Sequence, residues 1–87
     1  MTPVGSRRLR AEVRAELTRH GLVIGEDDQA ERLRERLNDL YLDEVRRLRQ
    51  RQRAGEIPLR EYARHTQELK ERFPLLGLPL ADWTTDT

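Results

Sequence analysis

The densest run of one chemistry in the chain is Arg46-Arg47-Leu48-Arg49-Gln50-Arg51-Gln52-Arg53. Five guanidinium groups within roughly 12 Å of helix can follow the phosphates of a nucleic acid. The 46/49/53 and 47/51 spacings put them on adjacent helix faces. No aromatic residue interleaves the run to stack on bases, and Asp43, Glu44 and Glu56 dilute its charge. A solvated helix end, with basic residues where the helix dipole favours them, accounts for the same pattern. Nucleic-acid binding through Arg46, Arg47, Arg49, Arg51 and Arg53 is therefore the second reading of function, not the first. Arg7, Arg8, Arg10 and Arg14 would strengthen it if folding brought them to the same surface.

A second cluster is Glu61, His65 and Glu68, with an imidazole one helical turn from each of two carboxylates. Such a face could hold a metal, but carboxylate-bridged metal bundles draw further Glu ligands from facing helices. Arg64 and Arg72 stand among these residues, so the cluster reads as a surface ion-pair network. His20 reads as a helix C-terminal residue near the last carbonyls. Ser6 is the only serine and reads as a helix cap, and no glycine-rich loop follows a strand. Asp27 and Asp28 are accounted for by a helix start. No catalytic residue, metal ligand or cofactor-binding residue is assigned, no cofactor is expected, and the chain does not read as an enzyme.

Composition sets the wider bounds. The 87 residues suit a single small domain, whose core would be thin if it stood alone. There is no cysteine, which excludes a disulfide framework and a thiolate zinc site. Charged residues are 38% of the chain yet nearly cancel, leaving a net charge of +1, too little for a dedicated polyanion binder. Arg outnumbers Lys sixteen to one, in the manner of GC-biased coding. No run approaches the roughly 20 apolar residues of a membrane span. The opening residues lack the apolar segment of a signal peptide. A cytoplasmic protein without membrane contact is expected.

The elements that must position these groups are helical. Leucine dominates the apolar residues and β-branched types are sparse. A first helix is expected over about 7–20, capped by Ser6, with a stripe of Leu9, Val13 and Leu17 and a stop at His20-Gly21. Leu22-Val23-Ile24-Gly25 reads as a short apolar link. The second helix, about 28–53, is the organising element. Asp28 and Glu31 form a capping box at its start, and Ala30, Leu33, Leu37, Leu40, Tyr41, Val45 and Leu48 form its apolar stripe. Leu42 lies off that face. Charge is sorted along it: residues 26–39 hold six acids and three Arg, and residues 43–53 hold two acids and five Arg. A third helix, about 58–73, starts with Pro58 at its first position. Leu59, Tyr62, Thr66, Leu69, Phe73 and Leu76 keep the spacing of a seam along it, with Leu76 beyond the stop that Pro74 imposes near Phe73. Its short connection folds it back antiparallel on the Val45–Leu48 end of the second helix. Pro74, Gly77 and Pro79 then forbid a regular helix, so residues 74–87 read as an extended apolar tail. That tail either seals the core or docks into a partner.

Residues 48–73 resemble the short helical hairpin of SHOCT-type domains. Gly55, Ile57, the pair Glu61-Tyr62 and Lys70 occupy similar places, while Pro58-Leu59 departs from the usual Ser/Thr cap and Lys70 sits later than in the pattern. The likeness covers about a third of the chain. It implies an oligomerising or interaction role, not a reaction.

The expected architecture is all-α: three helices in a hairpin-like bundle with an apolar tail, forming one domain over residues 1–87. The expected function is that of a non-enzymatic interaction or adaptor protein. The stripe of the second helix is longer than its neighbours can easily cover, which points to a homodimer or a subunit of a larger assembly. Sorted charge favours antiparallel pairing of that helix with its own copy. The expected protein-binding residues are Leu33, Leu37, Leu40, Leu42, Leu78, Leu80 and Trp83, with the subunit interface at the Leu33–Leu40 half.

Overall fold

The computed structural model describes residues 8–85. Three α-helices carry the fold: α1 over Ala11–Arg19, α2 over Ala30–Arg53 and α3 over Leu59–Glu71. Two short strands, β1 over Arg8–Leu9 and β2 over Thr84–Thr85, pair antiparallel with Arg8 opposite Thr85 and Leu9 opposite Thr84. The molecule is elongated, 58 × 18 × 17 Å. Among the described residues no helix is long and apolar enough to cross a membrane.

Glycine ends α1 and α2 in the same way. Gly21 and Gly55 have φ of 85° and 82°, a conformation that side-chain-bearing residues rarely adopt. The Gly21 and Leu22 amides donate to the Thr18 and Leu17 carbonyls, and the Gly55 and Glu56 amides donate to Gln52 and Arg51. Each set is a Schellman turn, which satisfies carbonyls the helix end leaves open. At the first turn the apolar closure is also made, since Leu17 and Leu22 are both buried.

Helix starts differ from the sequence expectation. The residue before α1 is Arg10, and Leu9, expected in that helix, lies in β1; the proposed Ser6 cap lies outside the described residues. The capping box at Asp28 and Glu31 does not form. Gln29 precedes α2 without a side-chain cap. The Asp28 carboxylate instead accepts a hydrogen bond from the Gly25 amide at 2.8 Å, while the Asp28 amide donates to the Gly25 carbonyl at 3.2 Å. This local turn competes with capping for the same carboxylate, as aspartate commonly does. Pro58 falls one residue before α3 rather than at its first position.

The chain after α3 is not extended. It forms two 3-10 turns, Pro74–Gly77 and Leu80–Trp83, before β2. Proline blocks a continued α-helix but suits the start of a short turn. These turns and α3 are the elements packed most closely on α2. They carry Leu75 and Trp83 into the core beside Val13, Leu17, Leu33, Leu37, Leu48, Ile57, Leu69 and Phe73. Trp83 is fully buried and its indole N–H donates to the Leu75 carbonyl at 3.3 Å. The Arg10 amide donates to the Trp83 carbonyl at 3.0 Å, so this bond and the strand pairing tie the start of α1 to the end of the second 3-10 turn. Of the two roles considered for the tail, closing the core is the one it fills.

Successive parts of the returning chain meet earlier parts of α2. Leu48 shares a groove with His65 and Leu69, Tyr41 meets the Phe73 ring edge-on at 5.4 Å, and the Arg34 guanidinium reaches the Leu76 carbonyl at 3.5 Å. His20, at the end of α1, stacks on Phe73 with ring centroids 4.3 Å apart. The ends of α1 and α3 are thus joined to the middle of α2 through one aromatic cluster.

Trp83→Ala removes the largest fully buried side chain and should cost about 3–5 kcal/mol, close to the whole stability of a small domain. Chemical denaturation followed by circular dichroism would measure it. Leu69→Ala should cost about 2–5 kcal/mol by the same measurement. Leu59→Ala, at a side chain 73% exposed, should stay within about 0.5 kcal/mol.

Candidate interaction surface

The seven leucine and tryptophan positions expected to bind a partner divide by burial. Leu33, Leu37 and Trp83 are fully buried in this chain's own core, so none of them offers a free surface. In the half of α2 where the subunit interface was expected, Leu33 and Leu37 are thus taken up by the chain's own core. α1 does not cover that half of α2 alone, because the 3-10 turns after α3 share the task. Leu40 and Leu80 are half-buried against the core. Leu42 and Leu78 remain exposed, at 39% and 38%. Leu59 and Val23 are exposed as well. Leu59 was expected in the α3 seam. It is the first residue of that helix, and the seam is closed only from Tyr62 onward.

The Arg run also divides. All five guanidinium-bearing residues are exposed. Arg46 is paired with Asp43 at 2.8 Å and Arg47 with Glu44 at 2.9 Å, each across one helical turn. Arg49, Arg51 and Arg53 have no acidic partner among the described residues. Arg47 and Arg51 line the groove between α2 and α3, opposite His65, Glu68 and Arg72. Arg46, Arg49 and Arg53 follow the helix at intervals of three and four and so lie together on another face. The run therefore presents two short rows, not one continuous basic track.

His65 sits in that groove, half-buried. The carboxylates around it face Arg64, which lies 3.8 Å from Glu61 and 3.9 Å from Glu68. The cluster is a bridged ion-pair network on the surface of α3. Among the described residues no three His, Cys, Asp or Glu side chains converge as they would around a metal ion. At the other end of the molecule Arg36 ties the α1–α2 link to α2, donating to the Val23 carbonyl at 3.3 Å and lying 3.7 Å from Asp28.

The surface that sequence reasoning missed is the outward side of α2. At about 100° per residue, Glu31, Glu35, Asn38, Leu42, Arg46, Arg49 and Arg53 fall within roughly a quarter of the helix circumference. Asp39 and Val45 flank that strip. Leu33, Leu37 and Leu48 lie on the far side, toward the core. Every residue of the strip is exposed, so no other part of the described chain covers it. Its signal was present in the sequence as sorted charge. What was not apparent was that no other element of the described chain packs on the face that carries this charge.

No family model, curated protein or solved structure matches this chain.

Both short ion pairs of the Arg run are exposed, and such pairs contribute little. Combining Asp43→Asn with Glu44→Gln should change unfolding free energy by under about 1 kcal/mol in urea titration. It should also raise retention on a polyanionic column by freeing two guanidinium groups.

Proposed function

We propose that this chain is a non-enzymatic interaction module, working as an adaptor or assembly subunit, and that the outward strip of α2 is its docking surface. The observation that carries the reading is the division of α2 into two faces. The apolar face packs on the chain's own core, with Leu33 and Leu37 completely buried and Leu40 half-buried. The opposite face stays open along the helix and carries Leu42 at its middle. A long helix with one face packed and the other free can offer a rigid, preformed surface, which lowers the entropic cost of association. The likeness of residues 48–73 to SHOCT-type helical hairpins supports the same class of role. Within the architecture, α2 and α3 make the hairpin-like part of a bundle that α1 and the closing turns complete.

A photoreactive residue in place of Leu42, introduced into the protein in its host cells, tests this. A discrete protein adduct is expected on irradiation, and none is expected when the same residue replaces Gln67, exposed on α3. Absence of any protein adduct at position 42 would overturn the reading.

A second reading is favoured by one observation: Arg49, Arg51 and Arg53 lack acidic partners among the described residues. On that reading the chain is a nucleic-acid-binding accessory factor. It requires retention of duplex or single strands at low salt, with a steep loss as salt rises. Replacing Arg49, Arg51 and Arg53 together by Gln should then abolish retention while leaving the helical signal intact. A wild type that shows no binding at about 50 mM salt would exclude it.

A further inference from the structure

The outward strip of α2 has an internal order that names its occupant. Its first half carries Glu31, Glu35 and Asp39, and its second half carries Arg46, Arg49 and Arg53. Leu42 separates them, with Val45 beside it. The helix dipole accounts for acids in the first turn and bases in the last, here Glu31 and Arg53. Its influence fades within those turns, so it leaves Glu35, Asp39, Arg46 and Arg49 without an explanation. Local pairing accounts for Arg46, which meets Asp43 at 2.8 Å, but not for the other three. Among the described residues Glu31, Asp39, Arg49 and Arg53 have no ion-pair partner. Glu35 meets Arg32 only at 4.0 Å with both side chains more than 70% exposed.

A surface that is acidic at one end, basic at the other and apolar at its centre is complementary to itself reversed. We infer that a second copy of this chain docks antiparallel along the outward face of α2, about a two-fold axis near Leu42. This rests on the reading of that strip as a docking surface and gives it a partner. The axis sets Leu42 of each copy at the centre, with Val45, half-buried against its own core, at the edge. It brings Glu31 and Glu35 of one copy beside Arg53 and Arg49 of the other, and Asp39 beside Arg46. A two-fold axis repeats every such contact, as an isologous interface must. A parallel arrangement would instead set acid against acid and base against base. The apolar centre is small and the flanking pairs are solvated, so the dimer is held weakly and is sensitive to salt.

The experiment is sedimentation of the full chain with a charge swap. In low salt the wild-type mass should rise with concentration from 10.3 kDa toward twice that value. Raising salt from about 50 to about 500 mM should weaken association at least roughly tenfold, because screening then acts across the interface. Two variants, E31R/E35R and R49E/R53E, change only exposed side chains, and circular dichroism should report unchanged helix for both. Each alone should remain monomeric, the first through repulsion of Arg rows and the second through repulsion of Glu rows. Mixed in equal amounts they should associate as a heterodimer, since each basic row then meets an acidic one.

A wild type that stays at 10.3 kDa at low salt and high concentration overturns the inference. Variants that associate alone as the wild type does, or that fail to associate on mixing, overturn it too. The in-cell cross-link at position 42 separates this failure from that of the parent reading. A monomer in solution with an adduct to another protein in cells leaves the docking surface standing and removes only the second copy.

Discussion

A 24-residue helix with an apolar stripe presents about 36 Å of surface that must be kept from water, and the rest of this small chain is arranged along that length. α3 covers the later part of the stripe, while α1 and the two 3-10 turns share the earlier part. The cover is one layer thick, which is why the molecule is long and narrow. It is also why closure depends on the segment after α3. Leu75 and Trp83 from that segment join Leu33 and Leu37 in one buried cluster. The β1–β2 pairing holds that segment in place by joining the two ends of the described chain.

The same constraint sorts the surface. A single-layer cover leaves the outward side of α2 open along its whole length, so the residues there are free of packing demands. Their charges are nevertheless ordered, acidic then basic about one leucine. Arg46 is paired with Asp43 within the helix, but neither the helix dipole nor such pairing accounts for Asp39 and Arg49. The Arg run looks different in this light. Arg46 and Arg47 are tied to acids one turn away, Arg47 and Arg51 face a groove that holds acids as well, and Arg49 and Arg53 belong to the ordered outward strip. A group of residues that reads as one basic patch in sequence serves three separate surroundings.

Much of the helical layout was legible because it rests on short-range chemistry. The spacing of Leu33, Leu37 and Leu48 fixes a buried face whatever packs on it. Gly21 and Gly55 end helices because the left-handed turn they permit is a property of the residue itself. Pro74 stops α3 for a reason equally local. The less legible parts were those in which two local options compete. Asp28 could cap α2 or close a turn with Gly25, and the sequence holds nothing that chooses between them. The chain after Phe73 could lie extended or fold into 3-10 turns, and proline permits both.

By itself, the sequence determined the helical class, the apolar face of α2, the glycine stops and the sorting of charge. Each follows from residue type and spacing over a turn or two. Only the tertiary structure decided which apolar residues remain for a partner. Leu75 and Leu78 are the same residue type three positions apart in one short segment, yet the first is buried and the second is exposed. Burial depends on what returns from distant parts of the chain, here the turns that bring Leu75 and Trp83 back against α2. That long-range return buries the inner face of the helix and leaves its outer face exposed.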